Sequence, residues 1–227
     1  MYVMFFNFID TIVKADDELL KWYKEFNCLL TSYTLARVYV PSNLIIEPIV
    51  KGFKEKILKL QPWEDAYYME ELSYRARIFI VTNLDKMLIK QYLVKYNLDV
   101  FVQDVISYND LRRYKPSKEF FEQASKIANN VLQAIMLISS NPSDILVGKS
   151  LGMKTYWLNR RGEKYPFPSN LQPDNIVSSI KRIAEMTGEH KVDSSMGVGL
   201  SLRFHEFVFN LSSSFPLSGS PCRLRER

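Results

Sequence analysis

The stretch Met136 to Gly162, MLISSNPSDILVGKSLGMKTYWLNRRG, reads as one structural unit. An apolar run, Ala134 to Ile138, is bounded by a polar cluster. Ser139, Ser140 and Asn141 stand before Pro142, the composition of a helix N-cap followed by proline at the first helical position. A helix segment containing Gly148 leads to Gly152, and a second apolar run follows at Thr155 to Leu158. Short bounded apolar runs are the pattern of buried strands.

The same alternation extends outward. Further strand runs lie at Tyr2 to Phe6, Arg77 to Val81 and Val105 to Ser107, and helical spacing at Asp85 to Tyr96 and Ser117 to Asn129. Strand alternating with helix from about residue 72 implies right-handed crossovers and a parallel sheet covered on both faces, an α/β doubly wound, Rossmann-like core. Between the first two strands the pattern is helical only, at Asp16 to Arg37 and Asn43 to Leu60. The expected organisation is therefore a discontinuous core, residues 1–13 and 75–188, with a helical cap inserted at 14–74. Residues 189–227 are Ser-rich yet carry Phe204, Phe207 and Phe209. They read as an added strand, a partner-binding segment or a poorly ordered extension.

Composition narrows the class. With 227 residues and 47% hydrophobic content the chain can bury a large core without staples. The formal charge of +5 is scattered, and only Arg112-Arg113-Tyr114-Lys115 is dense, so no nucleic-acid partner is expected. Cys28 and Cys222 lack zinc-ligand spacing and fit a reducing compartment. No apolar run of about 18 residues is present to span a bilayer, and the first residues lack signal-peptide features. The expected location is cytoplasmic, away from membrane.

In an open parallel sheet the strand C-termini share one edge, where ligands bind. After the first strand come Asn7, Asp10 and Thr11; after the second, Thr82, Asn83 and Asp85; after the third, Ser107 and then Lys115; after the fourth, Ser139, Ser140, Asn141 and Asp144. Taken singly these are caps and exposed side chains. Taken together, and in order, they supply hydroxyl, amide, ammonium and carboxylate groups to one edge.

That ordered set resembles the haloacid dehalogenase superfamily of hydrolases, and within it the L-2-haloacid dehalogenase type, over roughly residues 2 to 188. The likeness is carried by SSNPSD and the WLNR ending of Met136 to Gly162, by YKPS at Tyr114 to Ser117, and by VTNLD at Val81 to Asp85. It implies a fold with an inserted helical cap, and hydrolytic removal of halide from small 2-haloalkanoic acids through a covalent ester formed by an aspartate after strand one. It further implies that Thr11 and Thr82 position that carboxylate and that Asn83 contacts substrate. Lys115 would balance the charge, Ser139 and Asn141 would complete a polar cradle, and Asp144 would hold Lys115 or orient water. No metal and no cofactor are implied, the ligand is a small-molecule substrate or anion, and members of this type are often homodimers.

The chain departs from the family's first motif, Asp-x-x-Gly-Thr-Leu. Aligning on Thr11 and Ile12 puts Asn7 at the nucleophile and Asp10 at the glycine. An amide is neutral and cannot form the ester. The second aspartate of phosphatase relatives, two positions on, is replaced by Ile9. The cap arginine is missing, with Lys21, Lys24 and Arg37 the nearest substitutes, and Phe121 stands where the family has a tyrosine. The expectation is a dehalogenase-like scaffold with weak or absent activity, or alternatively a non-catalytic binding or interaction protein; Lys24, Arg37 and Phe121 are the candidate substrate contacts, and Asp10 is a candidate replacement carboxylate.

Overall fold

The computed structural model describes residues 2–189; the extension beyond Glu189, with its phenylalanine run and Cys222, lies outside them. Six parallel strands form one sheet: β1 (Tyr2–Phe6), β2 (Ala76–Thr82), β3 (Asp104–Ser107), β4 (Ile135–Ser139), β5 (Lys154–Leu158) and β6 (Asn175–Val177), in the order β3-β2-β1-β4-β5-β6. Alternate residues of the central strands enter different cores. Met4, Phe6, Ile78, Ile80, Met136 and Ile138 belong to one cluster, and Val3, Phe5, Phe79, Val81, Ile135 and Leu137 to the other. A strand's period of two therefore buries both faces, which explains why these strands read as unbroken apolar runs. The fold is the expected doubly wound α/β sheet.

Four helices lie between β1 and β2: α1 (Asp17–Leu35), α2 (Ser42–Ile46), α3 (Phe53–Lys59) and α4 (Met69–Ser73). Asp16 caps α1, its Oδ1 accepting from the Leu19 amide at 2.7 Å. Leu19, Tyr23, Phe26 and Leu30, at spacings of three and four, put one face of α1 into the first core cluster. The single helix expected over Asn43 to Leu60 is broken in two. Pro48 has no amide proton to continue α2, and Gly52, at φ 70°, takes the left-handed turn from which α3 starts. The last part of the insertion, including α4, packs on β2.

The remaining helices are α5 (Lys86–Lys95), α6 (Tyr108–Leu111), α7 (Lys118–Ile127), α8 (Pro142–Ser150) and α9 (Ile180–Glu189). On α8, a Cβ at Gly148 would come within 2.5 Å of Leu137 Cδ2 and 3.3 Å of Thr155 Cγ2, so this glycine lets the helix approach β4 and β5 closely. β6 was not foreseen: it is three residues long, at the sheet edge, with Ile176 pointing to solvent. Among the described residues no helix is long and apolar enough to cross a membrane. Successive strands step away from β1 in one direction and from β4 in the other, so a crevice opens at the carboxyl ends of these two neighbours.

Candidate active site

At that crevice the end of β1 meets the end of β4. The Asn7 amide donates to the Ile138 carbonyl at 2.9 Å, fixing the register in which the Asn7 side chain leaves the sheet. Lys115, between α6 and α7, reaches in from the side. Its main chain is clamped by Asn83: the Lys115 amide donates to Asn83 Oδ1 at 2.7 Å, and Asn83 Nδ2 donates to the Lys115 carbonyl at 2.9 Å. Lys115 Nζ then donates to Asn7 Oδ1 and to Asp144 Oδ2, both at 2.8 Å. Ser139 Oγ donates to the same Asp144 oxygen at 3.0 Å and accepts from the Asn141 amide at 3.0 Å. Asn141 caps α8 through the Ser143 amide.

Lys115 is 2% exposed, and Asn7, Ser139 and Asp144 are fully buried. The isolated reading of Lys115 as a solvent-exposed side chain is thereby corrected. A long ammonium is buried here because a carboxylate 29 positions away meets it. Burial pushes the Lys115 ammonium below the usual lysine range, and Asp144 opposes that shift. Two polar atoms stay unpartnered, Asn7 Nδ2 and Asp144 Oδ1. Tyr23 of α1 sits over this centre beside Asn7 and Asn27; burial, with the Asp144 charge adding to it, pushes its phenol well above the usual tyrosine range.

Other expected residues land differently. The Thr11 side chain bonds to Ser140 rather than to Asn7. Its Oγ1 donates to Ser140 Oγ at 3.1 Å and accepts from the Ser140 amide at 3.0 Å, tying the loop after β1 to β4. Thr82 Oγ1 accepts from the Leu84 amide at 3.1 Å, bracing its own turn rather than residue 7. Asn83 spends its side chain on the Lys115 backbone. Phe121 is fully buried in the second core cluster, since its face of α7 packs on the sheet. Arg37, just past α1, lines a different cavity with Arg112 and Arg113. Of the three proposed substrate contacts only Lys24 borders the cavity beside this centre.

That cavity holds about 110 Å³ and is bordered by Asp10, Tyr23, Lys24, Asn27, Asn141 and Arg161, among others. It has room for a few water molecules or a small anion. Asn7 and Lys115 are not among its walls, but Tyr23, which sits beside Asn7, is. Asp10 takes φ 54°, the left-handed conformation that glycine adopts most readily, at the position where the sequence reading expected a glycine. Its Oδ2 accepts from Arg161 Nε at 3.2 Å, while Oδ1 is unpartnered. Arg161 also donates to the Ala15 carbonyl. Arg160 makes a two-pronged pair with Asp65 at 2.8 and 3.0 Å and donates to the Thr11 carbonyl. Neither arginine was expected as a site residue, although Arg160 ends the WLNR stretch and both follow β5 just as the expected residues follow the other strands.

Burial raises the Asp10 carboxyl above 3.8, against the pull of Arg161. A raised carboxyl contributes stability that is present below its unfolded value and lost as pH rises through the folded one. Asp10→Gly removes that loss, relieves roughly 1 kcal/mol of left-handed strain and gives up a partly buried ion pair of about 1 kcal/mol. The expected net change is within about 1 kcal/mol, with the advantage of the parent over the variant shrinking as pH rises above 3.8. Urea unfolding of both proteins across that range checks it, and an advantage that grows with pH contradicts the assignment.

The site stands on a fold seen in solved structures. One is the L-2-haloacid dehalogenase from Xanthobacter autotrophicus with chloropropionic acid covalently bound, with TM-score 0.70 and 14% identity, over 83% of this chain and 98% of that one. Among curated proteins, the chain is 25% identical over 133 residues to the pyrophosphatase PpaX of Halalkalibacterium halodurans, covering 57% of this chain and 61% of that protein. It is 26% identical over 110 residues to the haloacetate dehalogenase H-2 of Moraxella sp. (strain B), covering 48% and 49%. The chain thus spans about half to three-fifths of these relatives. Residues 23–158, more than half of the chain, match the family described as haloacid dehalogenase-like hydrolase, a span that holds Lys115, Ser139 and Asp144 but begins after Asn7. With the fold, the ordered strand-end residues and this match in agreement, the chain belongs to the haloacid dehalogenase-like hydrolase family.

Proposed function

We propose that this chain is a catalytically impaired relative of the 2-haloacid dehalogenases, with α1 to α3 serving as the cap over the strand ends. The observation that carries the reading is the 2.8 Å contact between Asn7 Oδ1 and Lys115 Nζ. An aspartate at that place would be held by the ammonium, attack the halogen-bearing carbon, and expel halide as the ester forms. An amide keeps the hydrogen bond to Lys115 but has no electron pair basic enough to attack. Lys115, Ser139 and Asp144 are retained around the reacting atom, and the atom itself is exchanged.

The pyrophosphatase likeness raises the metal-dependent branch of the family. A magnesium ion asks for several oxygen ligands, carboxylates first. Position 7 offers an amide and position 9 an isoleucine, and Asp144 is engaged by Lys115 and Ser139. These residues do not fit the ion, which speaks against phosphoryl transfer. A second reading, binding of a small carboxylate or other anion without turnover, is favoured by Lys24 and Arg161 on the walls of the small cavity.

The test is halide release from 2-chloropropionate and magnesium-dependent hydrolysis of p-nitrophenyl phosphate by the unaltered chain. Neither is expected above the rate without protein. Robust halide release would overturn the proposal, and its loss in Asp10→Ala would make Asp10 the nucleophile.

A further inference from the structure

Arg37, Arg112 and Arg113 border a second cavity of about 610 Å³, whose walls share no residue with the small cavity. Its volume is in the range of small-molecule sites. Among the described residues none of the three forms an ion pair or donates to an acidic side chain; Arg113 Nη1 donates only to the Arg112 carbonyl, at 2.8 Å. The single carboxylate on the walls, Glu119, is likewise unpaired among the described residues. Three exposed guanidiniums bordering one space with so little countercharge make a positive surface that attracts an anion.

Two of the three arginines share an uncommon backbone conformation. Arg37 has φ 55° and Arg112 φ 48°, each at the end of a helix where glycine is the usual occupant. A helix C-terminus favours a cation by itself, but that accounts neither for the third arginine nor for the convergence of two helix ends on one cavity. The wall between them is rigid and aromatic. Tyr39 and Tyr114 stack at 5.8 Å with 20° between their planes, and the Tyr114 hydroxyl is hydrogen-bonded to the Val40 carbonyl. Arg112 lies close enough to Tyr39 for its charge to act on that phenol. Leu35 and Val38, both exposed, complete an apolar rim.

We propose that this cavity binds a small phosphate-bearing ligand, its phosphate oxygens taken by the guanidiniums of Arg37, Arg112 and Arg113. Planar guanidiniums match phosphate oxygens in two-pronged geometry, which lysines do not. The aromatic and apolar walls suit the organic part of a phosphate ester, such as a nucleoside phosphate. The proposal is independent of the dehalogenase reading, because none of these residues belongs to the centre around Lys115.

The experiment is calorimetric titration of the full chain with ADP, inorganic phosphate and adenosine, repeated for Arg37→Gly and Arg112→Gly. Glycine is at home in both left-handed positions, so these variants remove the charge without straining the fold, and circular dichroism confirms it. ADP or phosphate should bind, more weakly as salt rises, and each variant should weaken binding about tenfold or more. Tighter binding of ADP assigns the site to a nucleotide, and equal binding assigns it to free phosphate. Absence of binding by both, binding of adenosine as tight as ADP, or affinity unmoved by either variant overturns the proposal.

Discussion

Asn7→Asp is expected to give halide release from 2-chloropropionate at about a hundredfold or more above the unaltered chain, since one preorganised catalytic contact is commonly worth that much. The new carboxylate would sit where Asn7 Oδ1 now accepts from Lys115 Nζ, with the geometry already built. Recovery should be partial for a reason of charge. The introduced carboxylate, Asp144 and Lys115 together carry a net negative charge in a buried site, which raises the carboxyl pKa of the newcomer and leaves part of it protonated. The rate should therefore climb as pH rises from about 6 to about 9. Asp10 adds little to this, because its carboxylate turns towards Arg161. Tyr23 is the better second change. It is the α1 residue that covers Asn7, and Asn7→Asp with Tyr23→Arg neutralises the site and supplies a cation for the departing halide. The double variant should exceed the single one and show a flatter pH profile. If both variants fold and both stay silent, the assignment of this centre as a former dehalogenase site is wrong.

The second large effect concerns stability. Asp144→Asn leaves the Lys115 ammonium buried with only neutral acceptors, and breaking a buried pair by removing one partner costs about 3–5 kcal/mol. A lysine whose folded pKa lies below 10.5 binds fewer protons in the folded state, so stability rises with pH through the window between the two values. Losing Asp144 lowers the folded value further and widens that window, so the deficit of the variant should narrow in alkaline buffer. Asn7→Asp placed in the Asp144→Asn background returns a carboxylate to Lys115 on its other side, and should recover most of the loss. Urea unfolding at neutral and alkaline pH measures all three proteins. A cost below about 1 kcal/mol for Asp144→Asn would mean that the ammonium is hydrated, contrary to the burial seen here.

The strands were legible because burial on both faces leaves a continuous apolar signature; β1 was expected at Tyr2 to Phe6 and lies there. The helix starts were legible, through capping residues at Asp85 and Asn141 and through apolar spacing at Asp16 and Ser117, which also prove to be caps. What could not be read was partnership. Nothing in YKPS tells that Lys115 is buried, because the reason is Asp144 on another element. Tyr23 was missed since the face of α1 that meets Asn7 depends on how the insertion sits over the sheet. Arg161 was within reach: the rule that gathered residues after the first four strands, carried on to β5, selects it. Phe121 could have been set aside too, as Phe120, Phe121 and Ala124 already marked a core-facing stripe on α7.

The central place of β1 bears on how the chain is made. Tyr2 pairs with Ala76 on one side and Val3 with Ile135 on the other, so β1 has both edges covered only once β4 has been made. At roughly 5–20 residues per second, on the order of ten seconds separate Val3 from Ile135. Through that interval Val3, Met4, Phe5 and Phe6 offer an unpaired apolar edge, the kind of segment on which chains associate wrongly and to which chaperones bind. The yield of folded protein should consequently depend more on the speed of translation across the α1 to α4 insertion than on changes of similar size near the C-terminal end of the sheet.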